Sequence, residues 1–567
     1  MLTAAGAAAA AIMAGVVSVF AIVQPFGGGE PEDSSQTELI ATPSALQTST
    51  TTPTPTTTPA APIGRTTGEL RLLGSEPATL DPACATDTGS AGYIIEIFSG
   101  LVSYDRDLNL IPDIAESWEV SEVGTVYTFH LRSNVLFHDG SRQVTASDFK
   151  FSMERSLDPR TLSTEGIVYL DDIVGAEEFA RGMADKVSGI EVVDDLTLRI
   201  TIDAPQSYFL AKLTHPTAYV IDELQVADST CFQGTQWTQE PNGTGPFKLV
   251  AWDPGQRIVL EGNEEYYLDP KPLLARVTFL LTDGPAITMY ENDEVDVAEV
   301  GISDIERVRD PNEPLNAEFA EAPSLDTFFI GFNTREPPFN DLRVRQAFAM
   351  AIDKEVLTQV VLKDLVIPAR GILPPGMPGF NEDLQGLPFN PTAARDLLDA
   401  AGGPGILSEA VLLTSSRTAS MGPTQEAVIA MWEENLGVTI TVRHEEPSGF
   451  LRDLDAGNFD LFSLDWVARY PDPHGLLDVN FQSQSANNET GYSNPQVDSL
   501  LEQARTETGE QARRRLYQQA EEPIVQDAPW IPLFHSKKNA LIKPYVRGFL
   551  LSPFVIESLR YVSIEQE

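Results

Sequence analysis

The residue types that carry most enzyme chemistry are present, but their spacing matches none of the common catalytic or metal-binding motifs. The six histidines are scattered along the chain, without the spacing of metal ligands. The sequence contains no GxSxG nucleophile elbow, no HExxH zinc motif and no GxxxxGK[ST] phosphate loop. GTGPF at 243–247 is a poor phosphate loop, because Pro246 and the strand-like KLVAW argue against a helix start. We therefore expect no catalytic residue, no metal and no cofactor.

The two cysteines, Cys84 and Cys231, are the remaining candidates for covalent chemistry. Neither has a CxxC partner, which argues against a thiolate metal site. In an oxidising compartment the pair can form one disulfide that closes a loop of roughly 150 residues. The alternative is two free, buried thiols. We expect the disulfide, because both cysteines lie near turn-rich segments of what reads as one domain.

The charge of the chain excludes several classes of partner. The sequence has 83 acidic and 38 basic residues, a formal net charge of −45. A field of that sign repels nucleic acid and anionic lipid, so neither is an expected partner. Such a charge suits a secreted protein that must remain soluble.

The first 67 residues differ in composition from the rest. Residues 2–26 carry no charge and are long enough to cross a bilayer, but no Lys or Arg precedes Arg65 and no cysteine follows the apolar run. We read 1–26 as an uncleaved anchor, or as a signal segment whose start lies upstream. The Thr/Pro-rich stretch 27–67 reads as a disordered linker. The expected location is extracytoplasmic, either tethered or secreted.

From residue 68 onward, strand-like and helix-like segments alternate. Asp341, Asn390-Pro391 and Asn494-Pro495 start amphipathic helices, and Thr145 with Asp148 forms a capping box before another. The runs EAVLLTSS, GVTITVRH and FDLFSLDW read as strands between helices. This alternation predicts α/β units in two lobes, with chain crossings near 324–330 and 531–540. Two crossings form a hinge, and a ligand would bind in the cleft between the lobes.

Six segments, in order, resemble one known family. They are LDPACATD, FSGLVSYDRDLNLIPDIAESW, YTFHLRSNVLFHDGSRQVTASDFKFSMER, GTGPFKLVAWDPGQRIVLEGNEEYY, FNTREPPFNDLRVRQAFAMAIDKEVL and GNFDLFSLDWVARYPDPHGLL. Together they span most of the chain after residue 68. Their sequence and spacing resemble family 5 of the bacterial ABC-importer solute-binding proteins, the oligopeptide, dipeptide and nickel-binding type.

The resemblance implies an α/β, two-lobe periplasmic-binding-protein-like fold (type II, large three-subdomain class) with a hinge and an interlobe cleft. Lobe I would comprise 68–325, with an inserted subdomain at about 100–195, and lobe II 326–535. Residues 536–567 would return to lobe I. The implied function is an extracytoplasmic binding protein that captures a peptide or peptide-like solute and delivers it to an ABC permease. Extended peptides are held in this family by main-chain hydrogen bonds to strands.

The resemblance also indicates the ligand-binding residues. The segment DWVARYPDP would supply the main binding strand, whose backbone pairs with the ligand. Trp466 would form a pocket wall, with core packing as the alternative. Asn333 is a wall residue or a structural one. The full expected set is Asp465, Trp466, Val467, Arg469, Tyr470, Asp472, Thr86, Thr88, Asp326, Phe329 and Asn333.

Arg469 departs from the family pattern. In peptide-binding members this position, three after the tryptophan, is an Asp that pairs with the α-ammonium group of the ligand. Arginine repels that group. Ser463 and Leu454 likewise replace arginines that bind the carboxylate end. Either Asp465 or Asp472 takes the ammonium, or the ligand is not a standard peptide.

Arg469 itself has two readings. It could clamp an anionic group of the ligand, a carboxylate or a phosphate, through two parallel hydrogen bonds. It could instead pair with an internal acid such as Asp472. The alternative function for the whole chain is a membrane-anchored, ligand-sensing domain, because the apolar start shows no cleavage signal.

Overall fold

The structure is a computed structural model. It describes residues 68–226, 229–407, 410–415, 421–556 and 558–565. The predicted anchor (1–26) and the predicted linker (27–67) lie outside these residues. Among the helices of the described residues, none is both long and apolar enough to cross a membrane.

The described residues form twenty strands and sixteen α-helices. The strands are β1 (Glu69–Gly74), β2 (Val102–Tyr104), β3 (Leu110–Pro112), β4 (Ala115–Val120), β5 (Val126–Leu131), β6 (Ile190–Asp194), β7 (Thr197–Thr201), β8 (Phe247–Asp253), β9 (Arg257–Gly262), β10 (Arg276–Leu281), β11 (Val297–Glu299), β12 (Phe319–Pro323), β13 (Asp326–Phe332), β14 (Val366–Pro368), β15 (Val411–Ser415), β16 (Thr441–Glu445), β17 (Leu461–Val467), β18 (Trp530–Ile542), β19 (Val546–Arg547) and β20 (Ser563–Ile564). The helices are α1 (Thr88–Ile97), α2 (Ala146–Leu157), α3 (Gly166–Leu170), α4 (Ala176–Ala180), α5 (Phe209–Lys212), α6 (Glu223–Val226), α7 (Ala286–Glu291), α8 (Ile305–Arg309), α9 (Leu342–Met350), α10 (Lys354–Val356), α11 (Pro391–Ala401), α12 (Pro423–Leu436), α13 (Pro447–Asp455), α14 (Leu477–Phe481), α15 (Pro495–Thr506) and α16 (Glu510–Asp527).

The predicted helix starts are confirmed by their caps. The Asp341 side chain accepts a hydrogen bond from the backbone of Arg343 at the start of α9. Asn390 and Asn494 cap α11 and α15 in the same way, each followed by proline. The capping box of Thr145 is formed at α2. Because side-chain acceptors bind backbone N–H groups that lack partners in the first turn, these short-range patterns fix where the helices begin.

The strands of the described residues assemble into one eight-stranded sheet, two four-stranded sheets and two two-stranded sheets. One four-stranded sheet has the order β1-β10-β9-β8, and a second has the order β4-β5-β7-β6. The largest sheet follows the path β11-β18-β13-β17-β15-β16. In it β15 pairs in parallel with both β16 and β17, whereas β13 and β17 are antiparallel.

The buried apolar side chains of the described residues divide the molecule into two bodies. Three clusters draw on residues before 324 and after 540, with Tyr470 as the exception. Two clusters draw only on residues between 325 and 534. We call the first body lobe I and the second lobe II. The division agrees with the expected organisation, and the domain limits themselves stay predictions.

The two crossings between the lobes lie side by side in the largest sheet. β12 pairs with the Lys537–Leu541 part of β18, and β13 pairs with its Trp530–Phe534 part. β18 therefore runs without interruption from lobe II into lobe I. The register shifts by one residue at Phe328 and Phe329, next to the point where the chain first crosses.

Candidate functional site

Part of one edge of β17 has no strand partner among the described residues. β17 pairs with β13 along its whole length, from Leu461 opposite Phe332 to Val467 opposite Asp326. On its other side, β15 pairs only with Leu461 and Phe462. Among the described residues, the backbone from 463 to 467 therefore has no strand partner on that side. Such an edge presents N–H and C=O groups to an extended ligand.

Trp466 and Asp465 point to opposite faces of the sheet, since side chains alternate along a strand. The Trp466 Nε1 donates a hydrogen bond to the Gly475 carbonyl at 2.9 Å, and the ring packs partly against a lobe II core. Trp466 is thus half-buried and held in one orientation. Val467 shares the face of Asp465 and is half-buried as well.

Asp326 and Asp465 form a pair of neighbouring carboxylates. Asp326 lies opposite Val467 and Asp465 opposite Phe328, so the two side chains share one face at diagonal positions. The Asp326 Oδ1 accepts a hydrogen bond from the Ser536 backbone at 2.8 Å. The Asp465 Oδ1 is buried and has no hydrogen-bond partner among the described residues.

The electrostatics of the pair favour a positive charge. Burial, together with the nearby charge of Asp326, raises the pKa of Asp465 to about 8. Burial also raises the pKa of Asp326, against the hydrogen bonds from Ser536 and the charge of Lys538. The two carboxylates repel each other when both are charged. A cation beside them offsets this repulsion, so both ionise more readily.

Arg469, four residues after Asp465, faces lobe I. Burial raises the pKa of Glu165, and the charge of Arg469 partly opposes that rise. Burial and then Arg469 lower the pKa of His215 to about 3. The His215 ring is stacked on Tyr169, with 3.5 Å between ring centroids. Arg469 makes no ion pair with any carboxylate of the described residues, so its N–H groups remain available.

Asp472 does not pair with Arg469 and is not free to bind an ammonium group. Its two carboxylate oxygens accept hydrogen bonds from Arg513 at 2.5 and 2.6 Å. Its Oδ1 also accepts from the His474 backbone at 2.9 Å. The reading in which Arg469 pairs with Asp472 is therefore wrong. The pair of Asp472 and Arg513 lies within lobe II and is structural.

Tyr470 lies in the contact between the lobes. Its hydroxyl group is 2.6 Å from the His474 Nδ1, and its ring is stacked near Tyr208 of lobe I. The Tyr208 ring also stacks on His474, with centroids 3.6 Å apart. Ser207 adds a backbone hydrogen bond to the Arg505 carbonyl. Tyr470 thus holds the lobes together at this point, and its ring is too buried to line an open pocket.

A disulfide fixes the lobe I segment that carries the two expected threonines. The Cys84 and Cys231 sulfurs are 2.10 Å apart. The Cys231 backbone donates to the Thr161 carbonyl at 2.9 Å, and the Ser163 hydroxyl group donates to the Ala83 carbonyl. The segment around residue 84 is therefore tied to the segment 161–165.

Thr86 and Thr88 follow directly on this tied segment. Thr86 is half-buried, whereas Thr88 is exposed and starts α1. Asp87 between them caps the helix, since its Oδ1 accepts from the Ser90 backbone at 2.8 Å. Their placement as ligand-contacting residues stays a prediction. The same lobe I region presents Glu165 to Arg469.

Phe329 and Asn333 are fixed inside lobe II, which argues against their expected place in the site. Phe329 is fully buried and stacks on Trp530, with ring centroids 3.4 Å apart. The Asn333 Nδ2 donates to the Phe459 carbonyl at 3.2 Å, and its Oδ1 accepts from the Arg335 backbone. Residue type and proximity to a crossing did not indicate which side of the sheet each side chain occupies.

The lobe I residues opposite Arg469 were missed by sequence reasoning. Glu165, Tyr169 and His215 lie more than 250 residues from Arg469 along the chain. No motif or periodicity marks them, and only the folded arrangement brings them near β17. Charge complementarity to Arg469 is the signal that could have nominated Glu165, but 83 acidic residues make that signal weak.

Comparison with known proteins identifies the family. The model of "Bacterial extracellular solute-binding proteins, family 5 Middle" matches residues 109–488. The chain belongs to this family. Its members are transport binding proteins, so the chain is a solute-binding protein and not an enzyme.

Relatives match over nearly their whole length. The probable deoxycholate-binding periplasmic protein YgiS of Escherichia coli K12 is 33% identical over 84% of this chain and 89% of its own. The periplasmic oligopeptide-binding protein OppA of the same strain is 28% identical, covering 86% and 91%. The unliganded open form of the murein tripeptide-binding protein MppA has a TM-score of 0.75 at 30% identity, covering 88% of this chain and 97% of that one. The fold is thus the two-lobe binding-protein fold with a hinge and an interlobe cleft, as expected.

Proposed function

We propose that this protein captures a peptide or peptide-like solute outside the cytoplasm and delivers it to an ABC permease. The observation that carries this proposal is the edge of β17, which from 463 to 467 has no strand partner on one side among the described residues. An extended peptide can add to such an edge through its own main chain, whatever its side chains. OppA and MppA, which are named for binding peptides, support the same ligand class.

The proposed site consists of the open edge, the side chains that flank it and the lobe I segment opposite. Trp466 and Val467 border the edge, Thr86 and Thr88 lie across the cleft, and Arg469 binds an anionic group of the ligand. A guanidinium without an internal ion pair can give two parallel hydrogen bonds to a carboxylate. The lobes close over the ligand about the crossings at residues 324–330 and 531–540.

Main-chain pairing can be tested with ligands that cannot pair. Random tetrapeptides should be retained by the purified protein in native mass spectrometry. Methylating one backbone nitrogen removes one donor, and we expect affinity to fall about five- to tenfold per lost hydrogen bond. Affinity that is unchanged by methylation at every position would contradict strand addition. No retention of any tetrapeptide would contradict a peptide ligand.

The role of Arg469 can be tested by reversing its charge. In Arg469→Asp, affinity for retained anionic ligands should fall at least tenfold, because an attractive charge becomes a repulsive one. Arg452→Ala is the matched control, since Arg452 is an exposed arginine of lobe II on α13. Isothermal titration calorimetry gives both affinities. Equal affinities for the two variants would show that Arg469 does not contact the ligand.

A further inference from the structure

A negative charge on β17 and a positive charge just after it mark two ends of the proposed site. At one end Asp465 lies beside Asp326 on the same face of the sheet. Four residues later, Arg469 faces lobe I with no carboxylate partner in the described part of the chain. Arg469 follows the last residue of β17 by two positions, where the chain bends. The two charges therefore lie at different places along the edge, as the two termini of a short peptide require.

The acidic end is suited to an ammonium group. An ammonium has three donors, and the unpartnered, buried Asp465 Oδ1 provides an acceptor for one of them. Asp326 is held in place by the Ser536 backbone, so it presents a fixed second charge. Two carboxylates supply fewer ligands than Ca²⁺ or a structural Zn²⁺ requires, which favours an organic cation over a metal.

The basic end is suited to a carboxylate. Glu165 approaches Arg469 from lobe I without forming an ion pair, and burial raises its pKa. Asp472, three residues after Arg469, is already bound by Arg513. A ligand carboxylate would therefore meet no internal competitor for the Arg469 guanidinium within lobe II.

We propose that the cleft binds a zwitterionic peptide with its ammonium group at Asp326 and Asp465 and its carboxylate at Arg469. This inference rests on the proposed function and adds the direction of the ligand along β17. It is the reverse of the direction that the family resemblance implies, in which the ammonium group lies at position 469. The loss of arginine at positions 463 and 454 fits the reversal, since a carboxylate is not expected at that end.

The reversed direction predicts a specific pH dependence. With the pKa of Asp465 at about 8, the empty site holds a proton at neutral pH, and ammonium binding expels it. Affinity for a free peptide should thus rise about tenfold from pH 6 to pH 7, while the peptide amine stays protonated. Calorimetry should show no such rise for an N-acetylated peptide.

Other charged or titratable groups lie near the Asp326 and Asp465 carboxylates. Lys538 acts on Asp326 and, with Glu299, lies on the lobe I side. His535 contacts the Asp326 carbonyl, and burial lowers its pKa to about 4, so it stays neutral from pH 6 to pH 7. The acetylated peptide controls for these groups and for Glu165, because it meets the same surroundings without an ammonium group.

The direction is tested by blocking each end of the ligand in turn. Lysine-free and arginine-free random tetrapeptides are offered with free ends, with N-acetylated ends or with C-amidated ends. In the unmodified protein each block should lower retention at least tenfold. In Asp465→Asn, acetylation should change retention less than twofold, and in Arg469→Ala amidation should change it less than twofold.

The possible outcomes separate the two proposals. Retention of all three libraries alike would overturn the direction and leave the peptide function standing. Acetylation that still weakens binding tenfold in Asp465→Asn would place the ammonium elsewhere and also overturn it. No retention of any library would overturn the peptide function itself. A further acetylated library contains lysine. If it binds the unmodified protein but not Asp465→Asn, the lysine ammonium group occupies the acidic pair, which supports that pair as the cation site.

Discussion

Replacing Arg513 by alanine should lower the free energy of unfolding by about 3–5 kcal/mol. The Arg513 side chain is 14% exposed and that of Asp472 is 11% exposed, so the variant leaves a carboxylate buried without its counter-charge. Burial alone would lower the pKa of Arg513, but the charge of Asp472 raises it above its ordinary value. Arg513 also donates to the Tyr517 hydroxyl group and to the Ala504 carbonyl, and both bonds would be lost.

The neighbouring Arg514 is the control for that experiment. It lies on the same helix, is 48% exposed and pairs with the exposed Glu510 one turn away. An exposed ion pair of this kind contributes under about 1 kcal/mol, so Arg514→Ala should be nearly neutral. Urea unfolding followed by tryptophan fluorescence measures both variants. A loss for Arg513→Ala no greater than for Arg514→Ala would contradict a structural role for the buried pair.

The sequence predicted those parts of the fold that depend on near neighbours. Asn390 caps α11 through an atom three residues away, so composition and spacing are enough to locate the helix start. The strand-like run FDLFSLDW likewise predicted β17. These interactions form within a few residues, and the chemistry that directs them is visible in the sequence.

The partners of the site residues could not be predicted, because they are distant in the chain. Asp472 binds Arg513, 41 residues later, and nothing local selects Arg513 over any other arginine. Phe329 lies in a strand that is buried on both faces, so its alternation does not show which face meets a ligand. Burial and ion pairing, which decide whether a side chain is free to bind, are properties of the whole fold.

Relatives of this chain show how far the ligand can change on one fold. YgiS is named for binding deoxycholate, OppA for oligopeptides and another relative for haem. The same fold therefore accommodates ligands of different chemistry, and the residues that surround the ligand must account for the difference. In the binding direction proposed for this chain, the positive charge at 469 and the carboxylates at 326 and 465 set the ligand preference.

Removing the disulfide should have the largest effect on stability. The 147-residue separation of Cys84 and Cys231 corresponds to about 5 kcal/mol of loop-closure entropy in the unfolded chain. We therefore expect the double variant C84S and C231S to unfold at a lower urea concentration than the parent protein. It should also weaken ligand binding, because the bond ties the segment of Thr86 and Thr88 to the segment that presents Glu165 to Arg469.

The reductant dependence of unfolding separates the bond from the side effects of substitution. A thiol reductant should bring the parent protein to the stability of the double variant and leave the variant unchanged. Alkylation under denaturing conditions without reductant should label neither cysteine of the parent. The opposite result is that both cysteines are labelled and the reductant does not change the urea midpoint of the parent protein. The two sulfurs would then be free thiols, and only hydrogen bonds would connect residue 84 to the 161–165 segment.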